Sequence, residues 1–419
     1  MRFSNKLSEI RGSIIWNAGL LTSGTVAGHA ITILSTPLLT RLYTPEDYTV
    51  LAMYTAMVGL ISVGASLRYN IAIPIPEKPA DGASLLALSV AFSLTTAFVT
   101  FALSLLVLGS AIDSASESAI HQYLWLLPLG VAATSLYEAL QYWVMRYERY
   151  LTVSRTRVTR SVAGVSAQAG LGFVGISPGG LLIGHLVYVS SGTISLIVNV
   201  MKNDRTLFRS VDLKSLVHQA KRYKAFPYKS VPEALLNTAS QQLPIILIAT
   251  SSAGPQAGLL MLAMQVAGLP MLLIGNSVAQ VFHVDAGEQL RKGEARQFTL
   301  KTISGLTKIG LIPMGLAALA APTLFPVIFG PQWAEAGKLV VWMTPWFLLQ
   351  FICSPVSSIL HVKGELQLAF LLQLLGFLLR IGVIGIAMLF FPKNAAEAFC
   401  ISSAAFYAIY LGIIVRTVR

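Results

Sequence analysis

Three ionisable side chains lie within apolar runs of about twenty residues, the length that crosses a bilayer. Arg380 is near the middle of the run 369–391, and Gln373 lies two helical turns before it on the same face. Because a guanidinium can hold phosphate oxygens through two parallel hydrogen bonds, this pair is a candidate binding site for an anionic headgroup. The alternative is an arginine that interhelical carbonyls or one carboxylate satisfy, with a structural role alone.

Lys308 and Glu138 are the other two charged candidates. Lys308 lies one or two turns inside the run 302–321, where its amine either reaches the inner interface along a flexible stem or lines the cytoplasmic half of a cavity. Glu138 lies in the middle of the run 123–145. It can be a proton-coupling carboxylate, a permanent salt-bridge partner of Arg380 or Lys308, or a neutral hydrogen-bond donor, and the sequence leaves these roles open.

Side-chain amides recur at helical spacing in two further runs. Asn237 and Gln241 are one turn apart, so they share a face of their helix. Gln265, Asn276 and Gln280 also share a face, since eleven residues make about three turns. Such amides hydrogen-bond to sugar hydroxyls, but they also join helices within a bilayer, and both roles remain open.

Motifs for cofactors, nucleotides and metals are missing from the sequence. There is no GxxxxGK[ST], HExxH, CxxC or GxSxG pattern. His29 and His185 lack partners at ligand spacing, which favours interhelical hydrogen bonding, and Cys353 and Cys400 are typical of small packing residues. We therefore expect no cofactor, no metal, no ATP-driven transport by this chain alone and no enzymatic activity.

The composition indicates that lipid, rather than water, surrounds most of the chain. Of its 419 residues 55% are hydrophobic and 11% are charged, against about 25% charged in a soluble domain. A soluble fold of this composition would expose large apolar patches. The net charge of +12 could suggest nucleic acid, but the basic residues lie in short loops between apolar runs, which is typical of membrane orientation.

Hydropathy predicts about twelve transmembrane helices. The predicted spans are 14–39, 49–67, 83–108, 123–145, 161–175, 181–200, 232–250, 258–282, 302–321, 339–360, 369–391 and 396–415. The fifth is short and is followed by Pro178-Gly179-Gly180.

Lysine and arginine fall almost entirely in alternate loops. Only Arg41, Lys338 and Lys393 lie in loops on the side that would be outside if the N-terminus is cytoplasmic. Cytoplasmic loops carry the excess of these residues. The sequence therefore predicts a protein with both termini inside.

The predicted spans divide into two sets of six. We expect an N-terminal six-helix bundle over 1–200, a cytoplasmic linker over 201–230 and a C-terminal six-helix bundle over 231–419. The two halves share a short pattern, since Leu51–Ser66 and Leu262–Ser277 agree at Leu, Ala, Met, Ala, Gly and Ser. This favours a duplicated transporter with parallel repeats.

The linker contains apolar residues at helical spacing with basic residues opposite them. The apolar set is Leu213, Leu216, Val217, Ala220 and Tyr223. This pattern predicts a basic amphipathic helix on the inner leaflet, with a solvated charged loop as the alternative.

Several groups of residues form a pattern that is more specific than hydropathy. They are Arg41–Tyr48; Leu67–Asn70; Tyr223-x-x-Phe226-Pro227; Pro232-x-x-Leu235-Leu236-Asn237-x-x-Ser240-x-x-Leu243-Pro244; Gly275-x-Ser277-x-x-Gln280-Val281-Phe282; Phe329-Gly330-x-x-Trp333-x-x-Ala336-Gly337; Pro345-Trp346; and Ser354-Pro355. The pattern resembles the polysaccharide (O-antigen and repeat-unit) flippases of the multidrug/oligosaccharidyl-lipid/polysaccharide exporter superfamily. Asn70, Thr49 and His283 depart from it, where the family usually has an acid, a glycine and an aromatic residue.

The resemblance implies an all-α integral membrane protein in which two six-helix bundles form a V and open alternately to each side. It implies movement of an undecaprenyl-pyrophosphate-linked oligosaccharide from the cytoplasmic to the outer leaflet of a bacterial inner membrane, for O-antigen and lipopolysaccharide synthesis. A polysaccharide polymerase and chain-length machinery are the implied protein partners. Arg68, within one of the matching groups, is a further candidate for binding the headgroup.

Three other functions remain as alternatives. A lipid II flippase is the nearest. A cation-coupled drug antiporter should have an acid-lined lumen, whereas Lys308 and Arg380 outnumber Glu138 within the spans. A polytopic glycosyltransferase or O-antigen polymerase usually carries a sizeable outside loop, and every predicted outside loop here is short.

Overall fold

The structure is a computed structural model of the 419-residue chain. It describes residues 2–110, 120–250, 254–268, 271, 278, 282, 289–363 and 365–418. These residues contain helices and turns but no β-strand. The predicted all-α class is confirmed.

The described residues form fifteen α-helices, with short 3₁₀ turns and one π-helical turn between some of them. They are α1 Arg2–Leu42, α2 Pro45–Ala65, α3 Tyr69–Ala72, α4 Pro79–Ser110, α5 Leu126–Arg146, α6 Tyr150–Phe173, α7 Gly179–Asp204, α8 Leu213–Arg222, α9 Val231–Thr250, α10 Gln256–Ala267, α11 Ala295–Phe329, α12 Ala334–Val356, α13 Ser358–Val362, α14 Leu366–Phe390 and α15 Ala395–Thr417.

A helix lies at each of the twelve segments that hydropathy predicts to span, with the eighth described only as far as Ala267. Within the described part of the chain, seven helical segments are long and apolar enough to cross a membrane. They are Pro45–Ala65, Pro79–Leu108, Gly179–Arg209, Ala295–Phe329, Pro331–Leu360, Gln367–Phe390 and Pro392–Thr417. The count of twelve spans and the inside location of both termini stay predictions.

The start of α2 follows from its sequence. The backbone N–H of Thr44 donates to Asp47 Oδ2 at 2.8 Å, and the N–H of Asp47 donates to Thr44 Oγ1 at 3.3 Å. This reciprocal cap satisfies amides that the helix itself cannot pair. Pro45 follows at the first helical position, where a missing N–H costs nothing.

The helix that contains the fifth predicted span extends beyond it. Hydropathy places the apolar run at 161–175, and α6 begins at Tyr150 and carries Arg155, Arg157 and Arg160 as helical residues. Arginine has a good helix propensity, so a charged stretch before an apolar run continues the helix rather than forming a loop.

The chain divides into two compact units. The first unit contains Met1–Leu42 and Met57–Leu235, and the second contains Tyr43–Ala56 and Leu236–Arg419. Two of its boundaries fall within α2 and α9, and the third falls between α1 and α2. The first unit has a core in which Trp143 and Val153 are fully buried, and the second has a core that includes Phe282 and Phe406.

In the second unit the start of α2 packs very closely against α10. The N–H of Gly258 donates to Thr49 Oγ1 at 2.9 Å, and the Tyr48 ring meets Trp333 edge-on at 4.8 Å between centroids. A Cβ on Gly258 would overlap the Pro45 carbonyl oxygen, so this position requires glycine.

The linker does contain a helix, α8, and it is fixed to the first unit. Asp212 and Ser215 form a reciprocal cap in which the Ser215 N–H donates to Asp212 at 2.8 Å, and this bond lowers the pKa of Asp212. The Tyr69 hydroxyl donates to the Ala220 carbonyl at 3.2 Å. Leu216 packs against the core of the first unit. The position of α8 relative to a leaflet stays a prediction.

Candidate functional site

Arg380 is sealed inside the second unit. It is 3% exposed, and it donates from Nε to Ser403 Oγ at 3.1 Å and from Nη1 to Ser240 Oγ at 2.5 Å. Its guanidinium carbon lies 4.6 Å from the centroid of Phe406 and 5.5 Å from that of Tyr407. Its Nη2 is buried with no hydrogen-bond partner among the described residues.

The helix α9 presents Ser240 to this arginine at a weakened part of its own backbone. Pro244 lies four residues later and has no N–H, so the Ser240 carbonyl loses its usual helical partner. The buried guanidinium is therefore held by two hydroxyls and two aromatic rings, with no carboxylate ion pair in the described structure. Desolvating such a cation costs several kcal/mol, and cation–π contacts return about 1–2 kcal/mol.

The other predicted residues of the second unit are more accessible. Gln373 is half-buried on α14, and Lys308 is exposed on α11. Asn237 and Gln241 are both exposed on α9, and Gln241 Nε2 lies 3.5 Å from Asn237 Oδ1. Gln265 is half-buried on α10. The remaining two predicted amides, Asn276 and Gln280, lie outside the described residues.

Arg68 and Glu138 lie near each other in the first unit. Arg68 has a left-handed backbone (φ 60°), follows Leu67 (φ 49°), and donates from Nε to Ser230 Oγ at 3.4 Å. Two successive left-handed residues other than glycine are strained by about 1–3 kcal/mol each. Glu138 accepts a hydrogen bond from Asn70 Nδ2 at 3.4 Å and is within electrostatic reach of Arg68.

The ion pairs between described residues are Arg149–Asp204 and Lys338–Glu335. All three roles of Glu138, which are proton coupling, a salt bridge and neutral hydrogen bonding, stay open predictions.

A second group of cations, which we call the arginine pair, consists of Arg157 and Arg160 on α6. Arg157 Nη1 donates to the Leu21 carbonyl at 3.1 Å and also to Thr25 Oγ1, both on α1. The Arg160 guanidinium carbon lies 4.5 Å from the centroid of Tyr137 on α5 and 4.4 Å from that of Tyr188 on α7. Its Nε is buried without a hydrogen-bond partner among the described residues.

Sequence reasoning missed the arginine pair because it assigned both residues to an inner loop. The usable signal was their spacing of three residues directly before an apolar run. That spacing places both side chains on one face if the helix starts early. His29, for which the sequence favours interhelical hydrogen bonding, is exposed on α1 and within electrostatic reach of both arginines.

Comparison with known proteins identifies the family. A family model described as "Polysaccharide biosynthesis protein" matches residues 38–338, which is more than half of the chain. The chain belongs to this family. No curated protein sequence matches it. The resemblance inferred from the motifs is therefore confirmed at the level of the family.

Solved structures show the same fold at low sequence identity. A MATE family multidrug resistance transporter of the MOP superfamily in an inward-facing conformation has 11% identity and a TM-score of 0.69, covering 93% of this chain and 94% of its own. The lipid II flippase MurJ in an inward closed conformation has 14% identity and a TM-score of 0.71, covering 95% of this chain and 87% of its own. A mutant of the Vibrio cholerae MATE transporter VcmN has 10% identity and a TM-score of 0.58, covering 98% and 97%. The chain is a multi-pass membrane protein with the fold of these transporters.

Proposed function

We propose that this chain is a flippase that moves an undecaprenyl-pyrophosphate-linked oligosaccharide from the cytoplasmic to the outer leaflet of a bacterial inner membrane. In this proposal it has about twelve spans with both termini inside, supplies surface polysaccharide synthesis such as that of O-antigen, and works with a polymerase and chain-length machinery. It is a transporter and not an enzyme. The family match supports the link to polysaccharide synthesis.

The observation that best supports an anionic substrate is that three arginines lie among the helices without a carboxylate partner in the described structure, with Arg380 buried and Arg157 and Arg160 half-buried. Arg380 lies among the helices of the second unit, and Arg157 and Arg160 lie among those of the first. None of the three makes an ion pair among the described residues. A cation in such a position requires an anion or a set of oriented dipoles to replace its water. A pyrophosphate group that moves through the protein provides this anion. Its interaction with the cation offsets the hydration free energy that it loses on leaving water.

The amides and cations then have separate roles. We assign headgroup binding to Arg380, Lys308 and Arg68. The amides assigned to sugar contacts are Gln373, Asn237, Gln241, Gln265, Asn276 and Gln280. Exposed amides such as Asn237 and Gln241 can exchange water for sugar hydroxyls without a buried polar group being left unpaired. Glu138 is the candidate coupling residue.

Lipid II transport is the second candidate, and the similarity in fold to MurJ favours it. A cation-coupled drug antiporter fits less well, because such a protein should have an acid-lined interior. Each of these two candidates differs from the proposed flippase in the substrate that it moves in the cell.

Deletion of the gene tests the proposal. We expect loss of one surface polysaccharide and accumulation of its lipid-linked unit on the cytoplasmic leaflet, with peptidoglycan synthesis unchanged. A block in peptidoglycan synthesis would instead assign the protein to lipid II. If the lipid-linked unit still reaches the outer leaflet in cells without a second flippase, the proposed function is wrong.

A further inference from the structure

The first unit contains a pair of arginines that no described acid neutralises through an ion pair. Arg157 and Arg160 are half-buried on one face of α6, and the exposed His29 on α1 is close to both. Two acids of the same unit are engaged elsewhere, since Asp204 pairs with Arg149 and Glu138 accepts from Asn70. Two like charges one turn apart repel each other. Among the described residues, therefore, no carboxylate forms an ion pair with Arg157 or Arg160.

The surrounding residues hold Arg160 in one orientation rather than neutralising it. The guanidinium is stacked between the rings of Tyr137 and Tyr188, 4.5 and 4.4 Å from their centroids. Gly192 on α7 makes room for this arrangement, because a Cβ there would lie 2.9 Å from the Tyr137 ring and 3.4 Å from Arg160 Cδ. Arg160 also makes a side-chain hydrogen bond with Tyr188, but aromatic faces leave the rest of a guanidinium's edge, where its N–H groups point, open to a ligand.

Hydrogen-bonding capacity remains on the edge of Arg160. Its Nε is buried with no hydrogen-bond partner within the described part of the chain. Buried donors of native proteins are nearly always paired. A phosphate that binds through two oxygens would accept a hydrogen bond from this unpaired donor and a second one from the same half-buried guanidinium. Arg157, which α1 holds through Leu21 and Thr25, lies beside it as the second cation.

We infer that the arginine pair, with His29 beside it, is a binding site for a diphosphate group within the first unit. Two guanidiniums on successive turns of one helix can each bind one phosphoryl group of the same diphosphate, whereas a monoanionic phosphodiester offers only one. The inference rests on the proposed function in one respect: the diphosphate is taken to be the headgroup of the lipid-linked substrate.

Binding measurements on the purified full chain in detergent test the site. The probes are inorganic pyrophosphate, farnesyl pyrophosphate, farnesol and a phosphatidylglycerol. We expect both diphosphates to bind, and Arg160→Gln and Arg157→Gln to weaken them at least about tenfold, the effect of losing one charge-assisted hydrogen bond. Arg155→Gln is the matched control, because Arg155 is exposed on the same helix, and it should change binding less than twofold, about the effect of a screened surface charge.

A measurement on the unmodified protein covers the case in which these variants do not fold. A dicarbonyl reagent that modifies arginine is applied with and without pyrophosphate, and modified peptides are counted by mass spectrometry. Pyrophosphate should protect Arg157 and Arg160 but not Arg155. No protection, or no access of the reagent to either arginine, overturns the inference.

The remaining outcomes distinguish this inference from the proposed function. If phosphatidylglycerol competes as well as farnesyl pyrophosphate, the site binds ordinary anionic lipid and the diphosphate assignment is wrong. If the diphosphates bind but deletion of the gene leaves polysaccharide export intact, the site stands and the proposed function fails. If export is lost on deletion but neither variant weakens diphosphate binding, the function stands and the site is wrong.

Discussion

The two units differ in how far they bury an arginine that lies among their helices. In the second unit Arg380 is 3% exposed and is bound by Ser240 and Ser403, with Phe406 against its face. In the first unit Arg160 is half-buried between two tyrosines, and the exposed His29 lies nearby. The same side chain is thus enclosed in one unit and reachable in the other. Residue type alone does not distinguish these situations. In this conformation a ligand can reach Arg160 but not Arg380, so headgroup binding by Arg380 requires a conformation in which the helices that carry Ser240 and Ser403 open around it.

The largest effect is expected from Arg380→Ala. It removes a cation with two hydrogen bonds from the interior, and we expect export to fall about 10- to 100-fold at a normal amount of protein in the membrane. Arg380→Lys should retain part of the activity, because it keeps the charge and loses the fork. Export and membrane abundance are measured together. Full export by Arg380→Ala would assign headgroup binding to Lys308 and Arg68, and loss of the protein itself would assign Arg380 a structural role.

A double substitution, Ser240→Ala with Ser403→Ala, tests whether the two serine hydroxyls stabilise Arg380 in its buried position. Both hydroxyls accept from the guanidinium, so their loss leaves the buried cation with only Phe406 and Tyr407 beside it and should destabilise the protein by about 2–5 kcal/mol. Thermal unfolding of the solubilised protein measures this. Ser402→Ala is the control, since Ser402 is also buried and bonds only to its own helix at Phe399. Equal melting temperatures for the double variant and the control would contradict the account.

The close approach of helices is the next feature to test. Gly258→Ala should destabilise the second unit by about 1–3 kcal/mol, because the new methyl group meets the backbone of α2 at Pro45 and Thr49. Gly412→Ala on α15 is the matched control, since its Cβ would have no atom within 4 Å. Melting temperatures in detergent check both. If Gly258→Ala and Gly412→Ala have the same melting temperature, the contact of α2 with α10 is looser than the structure shows.

The smallest effects are expected at the surface, where charge is already solvated. Lys221 and Arg222 are exposed on α8, as are the apolar side chains of Leu213 and Val217. We expect Lys221→Glu with Arg222→Glu to weaken retention of anionic lipid by about 1 kcal/mol for each charge, measured by mass spectrometry of lipids bound to the purified protein. Lys338→Glu is the control, on the predicted outside. Unchanged retention in the α8 variant would contradict the predicted contact with the inner leaflet.

The sequence predicts the helices well because each apolar run is long enough for hydropathy to detect. It predicts their starts poorly where charged residues continue a helix, as at Tyr150 in α6, and that error concealed Arg157 and Arg160. Arg380 was identifiable as an intramembrane cation, but its partners Ser240 and Ser403 come from two other helices, 140 and 23 residues away along the chain. No local pattern encodes such contacts.

Transport by the purified protein tests the central claim most directly. The full chain is reconstituted into vesicles with a fluorescent undecaprenyl-pyrophosphate-linked oligosaccharide, and a membrane-impermeant quencher reports the leaflet in which each lipid lies. We predict that the lipid-linked oligosaccharide exchanges between leaflets faster than in protein-free vesicles, and that Arg380→Ala removes this acceleration. Exchange at the protein-free rate, with the protein folded and inserted, would contradict the account.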